Sequence, residues 1–256
     1  MAGFAGRSGG KPRCQPCCLS PAAVLAHLSP FRYNGSVSER NTHMQAIILS
    51  VKKTGESNSL VTMLTNREGL CTSMLYGGPK SRLRSLVQQF NSGTVWLYED
   101  KARQSSKITD YAVSAVHGRL KASLPKIWAA SLAAEIVLKT QAAGDAEAAF
   151  TLLSAFLDGT DATDESGTRL GTIRFLWRYL GLLGVQPPVE DCTGRFQLNQ
   201  EAADYLEALN SRSPGAVRKL VLDAPSVFQL KNMTFSLIET ATGRQLNTIA
   251  SGFALL

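Results

Sequence analysis

The fold is decided by residues 45–65, which read QAIILSVKKTGESNSLVTMLT. Residues 45–53 are rich in apolar and β-branched side chains, a composition typical of β-strands. Residues 54–58 are turn-forming types, and the side chains of residues 60–65 alternate between two faces with the period of a strand. The stretch therefore predicts two strands joined by a tight turn.

Three further strands and one short helix are predicted after this pair. A second turn ends at Gly69, which suits a positive φ angle, and a third strand follows over residues 70–76. A helix over residues 81–90 then precedes strands over residues 94–98 and 107–116. This is the element order of an OB-fold. The predicted fold class is α+β, with an N-terminal OB-fold β-barrel followed by an α-helical domain.

The remainder of the chain has the periodicity of amphipathic helices. Asp145 and Asn199 precede apolar stripes as N-caps do, and Gly159 is predicted to end one helix. An acidic loop is expected over residues 160–167, and the last helix over residues 225–240. The aromatic residues predicted for the core of this part are Phe175, Trp177 and Phe228.

The predicted organisation has three parts: a leader over residues 1–43, an OB-fold nucleic-acid-binding domain over residues 44–121, and an α-helical domain over residues 122–256. The leader is rich in Gly, Ser, Pro and Arg and has no hydrophobic period. It lacks the features of a signal peptide, which leaves a transit peptide, a disordered segment or a mis-assigned start as alternatives. We favour Met44 as the true start, because a strong strand pattern begins directly after it.

The net charge of +7 is unevenly distributed along the chain. Residues 44–124 hold eleven basic and five acidic residues, whereas residues 125–256 hold eleven basic and fourteen acidic ones. A basic module joined to an acidic one suggests that the basic module binds a polyanion. No stretch is apolar enough to predict a membrane span.

Basic residues concentrate at the predicted strand ends and turns, where the loops of a barrel project. The predicted DNA-binding cations are Lys52, Lys53, Arg67, Lys80, Arg82, Arg84, Lys101, Arg103 and Lys107. Each is alternatively a solvated surface charge, but three cations within residues 80–84, with no acid nearby, form a more specific signal. OB-fold barrels bind single-stranded nucleic acid along such a basic groove.

Two aromatic side chains, Trp96 and Tyr98, share one face of the fourth predicted strand, and Val95 and Leu97 share the other. The aliphatic face is the predicted barrel interior, so the aromatic pair is expected to face outward. Trp96 and Tyr98 then either stack on nucleobases or pack under the next domain. Packing is the commoner environment of large aromatic side chains, and both alternatives remain open at this point.

The sequence holds no recognisable catalytic or metal-binding constellation. His117 is the only histidine after residue 43, and carboxylates are sparse in the predicted barrel. The leader cysteines Cys14, Cys17 and Cys18 supply too few ligands for a zinc site. We therefore predict a protein that is not an enzyme and that needs no cofactor or metal.

Several segments, in a fixed order, resemble the RecO family of DNA repair proteins. In the predicted barrel they are residues 48–57, 60–65, 68–70, 77–83 and 87–90, and in the helical part residues 173–176 and 182–192. Residues 242–246 fit less firmly. The resemblance runs from about Gln45 to near the C-terminus and excludes the leader.

The resemblance implies an N-terminal OB-fold, an α-helical remainder and the role of a recombination mediator. Members of that family bind single- and double-stranded DNA, anneal complementary strands, and act with RecR to load RecA onto DNA coated by single-strand-binding protein. It also implies a location in the bacterial cytoplasm, at the nucleoid, and no membrane association. An OB-fold that binds RNA and a chain that binds only protein partners are the alternatives.

Two residues depart from the pattern of the family. Gln89 stands where proline is usual. Many members also carry a four-cysteine zinc motif that begins near Cys192, but here Arg195 occupies the place of the second cysteine and no later cysteine exists. Zinc binding is therefore not expected.

A pocket for the tail of single-strand-binding protein is expected on the helical domain. That tail is acidic with an apolar tip, and it would suit an apolar pocket rimmed by cations. Arg174 and Arg178 lie one helical turn apart and flank the apolar stripe that holds Trp177. These two arginines are the candidate rim, and the alternative is that both are solvated.

Overall fold

The computed structural model describes residues 41–78, 80–100, 102, 104–211, 217, 220–243 and 245–252. Almost all of the predicted leader lies outside these residues. The predicted sites Lys101 and Arg103 lie outside them too. Within the described residues no helix is long and apolar enough to cross a membrane.

Five strands form a closed barrel in the first half of the described chain. They are β1 (Asn41–Thr54), β2 (Asn58–Thr65), β3 (Gly69–Leu75), β4 (Ser92–Asp100) and β5 (Ser105–Ala115). The strand order around the barrel is β1-β2-β3-β5-β4, with β3 and β5 parallel and the other pairs antiparallel. Helix α1 (Arg82–Leu86) lies between β3 and β4 in the chain. The predicted OB-fold barrel is confirmed.

Strand β1 is buried on both of its faces. Ala46 and Ile48 point into the barrel, where they join a core that contains Val61 and Val95. Ile47 and Leu49 point the other way and belong to the core of the helical part. This double burial explains why residues 46–49 form an uninterrupted apolar run instead of the alternation seen in strands with one face in water.

The first strand begins four residues earlier than the sequence pattern predicted. Residues 41–43 pair with β4, and the His43 ring stacks on the Trp96 ring with 6.3 Å between centroids. Asn41 and Thr42 lack the apolar signal of a strand, so only the closure of the barrel against β4 assigns them to β1. Met44 is buried inside the strand rather than at its start.

The close contact between β4 and β5 requires glycine at position 93. A side chain at Gly93 would collide with the backbone carbonyl of Ala112 on β5. The pairing of these two strands also shifts register between Ser92 and Gly93. Glycines in strands often mark such bends and close approaches.

Eight further α-helices are described after the barrel. They are α2 (Gly118–Lys121), α3 (Leu124–Thr140), α4 (Ala146–Ala162), α5 (Glu165–Leu182), α6 (Val189–Phe196), α7 (Gln200–Ser211), α8 (Ala224–Thr242) and α9 (Asn247–Gly252). A short 3-10 turn joins α3 to α4. The predicted fold class, a barrel followed by an α-helical part, is confirmed.

The predicted N-caps are confirmed. The Asp145 carboxylate accepts a hydrogen bond from the Ala148 N–H at 2.9 Å, and the Asn199 side chain accepts one from the Ala202 N–H at 2.9 Å. The predicted stop at Gly159 is wrong, because α4 continues to Ala162. A single glycine costs a helix only about 1 kcal/mol relative to alanine, so a helix can continue through it.

Two other sequence-based predictions for the helical part are corrected. Phe175 and Trp177 are buried as expected, but the Phe228 side chain is 56% exposed. Phe228 lies outside the buried stripe of α8, and the Lys231 ammonium lies 5.3 Å from the centroid of its ring. Helix α6 was not predicted, because it is short and polar on most of its surface.

His117 joins the barrel to the helical part. Its ring Nδ1 donates to the Phe90 carbonyl at 2.7 Å, and its Nε2 lies 2.9 Å from the Asp158 carboxylate of α4. The residue adopts a left-handed backbone conformation (φ 52°) and is buried. The lone histidine after residue 43 is therefore a structural residue at the domain junction.

Glu135 of α3 holds the last described helix in place. Its two carboxylate oxygens accept hydrogen bonds from the backbone N–H groups of Asn247 and Thr248 at 2.9 and 2.8 Å, and Lys139 lies 3.0 Å away. Burial raises the pKa of Glu135, but the hydrogen bonds from Thr248, Lys139 and Asn247 together outweigh burial and lower this pKa below its ordinary value. The carboxylate thus stabilises the fold in its charged form.

We predict that Glu135→Gln lowers stability by about 1–3 kcal/mol at neutral pH, because a charged acceptor of several hydrogen bonds is lost. A lowered carboxyl pKa contributes stability that is present above the ordinary pKa and is lost as pH falls through the folded-state pKa. The variant should therefore lose less stability than the wild type on acidification. Thermal melts across acidic pH, with the exposed Glu207→Gln as control, measure this. Parallel pH profiles for Glu135→Gln and wild type would show the assignment to be wrong.

Candidate nucleic-acid interface

Strand register aligns two predicted cations on one outer face of the barrel. Lys52 of β1 pairs with Leu60 of β2, which pairs with Met74 of β3. Met74 pairs with Lys107 of β5, which pairs in turn with Tyr98 of β4. We call these five residues the outer row. Paired residues in adjacent strands point to the same side of a sheet, and the alternate residues Val61, Leu97 and Ile108 fill the barrel interior.

Within the outer row, two apolar residues lie between two lysines. Neighbouring strands lie about 4.8 Å apart, so the backbones of Lys52 and Lys107 are separated by about 14 Å across three strand spacings. Both lysines are exposed, while Leu60 and Met74 between them are half-buried. A nucleic-acid backbone that runs along the row would meet both cations, which could each contact a phosphate.

Other predicted cations surround the same end of the barrel. Lys53 pairs with Ser59, and Ser59 pairs with Leu75, the last residue of β3. The chain then leaves β3 and reaches Lys80 and Arg82, which are both exposed. Arg84, in the last turn of α1, is half-buried. Strand register thus brings Lys52, Lys53 and Lys107 to one end of the barrel, and Lys80 follows the last residue of β3 by five residues.

These cations are not neutralised within the described part of the protein. Among the described residues, no carboxylate lies within 4.0 Å of the charged group of Lys52, Lys53, Lys80, Arg82, Arg84 or Lys107. Surface charges without an internal partner contribute their full field to the solvent. This end of the barrel is therefore suited to a polyanion.

Arg67 does not belong to this group. It lies in the turn between β2 and β3, which begins after Thr65 and ends at Gly69. Thr65 lies five residue steps along β2 from Leu60, a distance of about 17 Å at the rise of a strand. Arg67 is exposed, but it is near the opposite end of the barrel, where Gly69 approaches Ala146 of α4.

Trp96 and Tyr98 face outward as predicted, while Val95 and Leu97 are buried in the barrel. Trp96 stacks against His43, and the Lys107 ammonium lies 4.8 Å from the centroid of the Tyr98 ring. The helical core instead packs against β1, β2 and β3. Each aromatic ring of the predicted pair thus already has a ring or cation neighbour on the barrel surface.

A groove next to the outer row contains an aromatic residue that the sequence reasoning did not assign to the site. The groove has a volume of about 500 Å³ and is lined by Tyr76, Tyr98, Asp100, Ser105, Lys107 and Thr109. Tyr76 follows β3 directly and is 55% exposed. Its position at the end of a predicted strand, three residues before the Pro79 break, was the available signal.

A second cavity, of about 220 Å³, lies between α4 and α5. Its walls include Leu152, Phe156, Leu170 and Phe175, and both predicted rim residues, Arg174 and Arg178, line it. Trp177 does not: it is buried and its indole N–H donates to the Asn210 side chain at 2.9 Å. The cavity is therefore apolar with two guanidinium groups, as expected, but it has a different aromatic wall.

Two polar side chains of the cavity differ in their hydrogen bonding. The Arg174 Nη1 donates to the Tyr205 hydroxyl at 3.3 Å, which fixes that guanidinium near α7. The Thr160 side chain, in contrast, is 2% exposed and its hydroxyl has no hydrogen-bond partner. Buried hydroxyl groups without a partner are uncommon, because desolvation is not compensated. Thr160 is therefore a candidate contact for a polar group of an occupant.

The residues near Cys192 do not fit the zinc site of related sequences. Cys192 is buried in the helical core, and burial, together with the nearby Asp191 carboxylate, raises the pKa of its thiol. Zinc binds the thiolate, which this environment disfavours. Arg195 is exposed on the same helix. Within the described residues no group of three or more His, Cys, Asp and Glu side chains could hold a metal ion.

We predict that the purified protein contains far less than one zinc ion per chain, because Cys192 supplies one thiol and the described part of the chain holds no group of three or more His, Cys, Asp and Glu side chains that could bind a metal ion. Inductively coupled plasma mass spectrometry measures the metal content, and Cys192→Ser should leave it unchanged. A stoichiometric zinc content that survives treatment with a chelator and falls in Cys192→Ser would refute this prediction.

Comparison with known proteins gives consistent matches over both halves of the chain. The family description "Recombination protein O N terminal" matches residues 40–116, and "Recombination protein O C terminal" matches residues 122–195. DNA repair protein RecO of Bradyrhizobium diazoefficiens is 29% identical over 179 residues, which cover 68% of this chain and 67% of the relative. DNA repair protein RecO of Rhodopseudomonas palustris strain HaA2 is 28% identical over 179 residues, which cover 68% of each chain.

Proposed function

Because this chain belongs to the recombination protein O family of DNA repair and recombination proteins, we propose that it is a recombination mediator. In this proposal it binds single- and double-stranded DNA, anneals complementary strands and, with RecR, loads RecA onto DNA coated by single-strand-binding protein. The observation that carries the proposal is the set of cations without carboxylate partners at one end of the barrel. In this proposal the protein acts by binding rather than by catalysis.

The cations support binding to the phosphate backbone rather than to a particular base sequence. Phosphate contacts by lysine and arginine release counterions, which gives affinity without sequence preference. Annealing needs two polyanions to be held close together, and a surface with cations from β1, the β3–α1 segment and β5 reduces their repulsion. A barrel that binds RNA is the alternative, and the same measurements on RNA test it.

We predict that changing Lys52, Lys80 and Lys107 together to Glu weakens binding to all DNA sequences alike. All three side chains are exposed, so the fold should be preserved. Each lost phosphate contact should reduce the slope of log affinity against log salt by about 0.7–0.9. Fluorescence anisotropy over a salt series measures the slope, and annealing of strands coated with single-strand-binding protein should fail in parallel.

The matched control changes Arg67, Arg169 and Arg195 to Glu. These residues are also exposed and give the same change in net charge, but Arg67 is near the far end of the barrel and the others are on helices. Wild-type affinity and salt slope in a folded Lys52, Lys80 and Lys107 variant would contradict the proposed surface. Stronger binding of the wild type to RNA than to DNA of the same sequence would favour the RNA-binding alternative.

We also propose that the cavity between α4 and α5 receives the acidic, apolar-tipped tail of single-strand-binding protein. Phe156 and Phe175, whose rings lie 4.7 Å apart, provide an apolar wall for the tip. Arg174 and Arg178 provide positive charge for the acidic residues, since guanidinium groups bind carboxylates in a bidentate way. The unpartnered Thr160 hydroxyl lies in the same lining.

We predict that Arg174→Glu combined with Arg178→Glu weakens binding of a tail peptide by at least about tenfold, as expected when attraction to carboxylates becomes repulsion. Isothermal titration calorimetry with a synthetic peptide measures the affinity. Arg169→Glu, an exposed position on the same helix outside the cavity, is the control. Unchanged peptide affinity in the double variant would remove the peptide from this cavity.

A further inference from the structure

We propose that Tyr76 is the stacking platform for one unpaired base, so that recognition of single strands is separable from general phosphate binding. This inference rests on the proposed DNA-binding function and assigns the groove of Tyr76, Tyr98 and Lys107 to a nucleobase. The ligand is therefore a single strand with an accessible base, and not a duplex, whose bases are stacked inside.

The Tyr76 ring is available for stacking. Among the described aromatic residues on the barrel, Trp96 stacks on His43 and Tyr98 is covered by the Lys107 ammonium. Tyr111 is buried in the barrel core. Tyr76 makes no ring or cation contact with another described residue and is 55% exposed. Among the described aromatic residues of the five strands and of the residue that directly follows β3, Tyr76 is therefore the ring with a free face.

The groove beside the Tyr76 ring can hold a nucleobase. Its volume of about 500 Å³ is sufficient for a nucleotide unit. The rim carries Ser105 and Thr109, which are exposed polar residues. A nucleobase has an apolar face and polar edges, and this lining offers both kinds of contact.

The charges around the groove favour one path for the phosphate backbone. The ammonium of Lys107 lies above Tyr98, and Lys80 follows Tyr76 by four residues in the chain. The Asp100 carboxylate lines another part of the groove, where it accepts a hydrogen bond from the Ala102 N–H at 3.2 Å. Phosphates are attracted to the lysines, so the backbone runs on the lysine side and the base points into the groove.

Phosphate contacts are therefore available to both duplex and single-stranded DNA, whereas base stacking on Tyr76 is available only to single strands. A duplex offers phosphates to Lys52, Lys80 and Lys107 but no free base to Tyr76. A single strand offers both. Loss of the Tyr76 ring should reduce the affinity for single strands alone and leave the salt dependence unchanged, because stacking releases no counterions.

The test compares Tyr76→Ala with wild type on a fluorescein-labelled oligo-dT and on a duplex of equal length. Stacking contributes enough per base that Tyr76→Ala should weaken oligo-dT binding about 5- to 150-fold. Duplex affinity should change less than twofold, and the salt slope should be unchanged. Tyr76→Phe should retain wild-type affinity, since it keeps the ring. Phe228→Ala is the matched control, because Phe228 is 56% exposed on the helical part.

A Tyr76→Trp variant gives a second readout that does not depend on affinity. Stacking of a base on the new indole should quench its fluorescence when oligo-dT is added, and duplex should not. Oligo-dT affinity within twofold of wild type in Tyr76→Ala, an equal loss for oligo-dT and duplex, or no quenching in Tyr76→Trp would each overturn the stacking role. Absence of DNA binding by the wild type would overturn the proposed function itself, and the stacking role with it.

Discussion

Strand β1 belongs to two hydrophobic cores, and the rest of the structure depends on this double burial. Ala46 and Ile48 are part of the barrel core, and Ile47 and Leu49 are part of the helical core. Fully burying a leucine or isoleucine side chain stabilises a protein by about 1.5–3 kcal/mol, so Ile47, Ile48 and Leu49 link the two cores strongly. The barrel and the helices are consequently one compact unit within residues 39–256, although the sequence suggests two domains.

The same strand also divides the outer surface of the barrel. Its pairing with β2 shifts register between Ile48 and Ser50, and beyond this irregularity the strand leaves the helical cover. Lys52 and Lys53, only three and four residues after buried Leu49, are exposed. The helices thus cover one half of the outer face and leave the outer row open. Where the protein can present cations to a partner is therefore a consequence of where the helices pack.

Regular patterns made much of this architecture predictable. The alternation of Val95 and Leu97 with Trp96 correctly gave the barrel interior, and Asp145 correctly marked a helix start, because both signals are local. Register between distant strands is not local. Residues 41–43 and the row from Lys52 to Tyr98 follow from barrel closure, for which no single segment carries a signal.

The residues of the candidate sites were also only partly predictable from local sequence. Cations were identifiable by type, but sequence could not separate Arg67, near the far end of the barrel, from Lys107 in the outer row. Tyr76 was missed although it ends a predicted strand, because sequence alone does not show whether a ring at that position is exposed or packed against a neighbour. Arg174 and Arg178 were found because a helix brings residues four apart to one face. Their aromatic wall comes partly from Phe156 on α4, which only tertiary packing brings near.

Helix α4 joins the cavity proposed for the acidic tail to the barrel, whose opposite end carries the proposed DNA-binding surface. Its Ala146 end approaches Gly69 of the barrel, and Asp158 near its other end contacts the junction residue His117. Phe156 and Thr160, on the same helix, line the cavity proposed for the acidic tail. A rigid helix that packs against the barrel and also forms the cavity keeps the two surfaces in a fixed relation. A tail bound there and DNA bound on the barrel would be held on one molecule, which raises the effective concentration of the tail near the DNA without any conformational change.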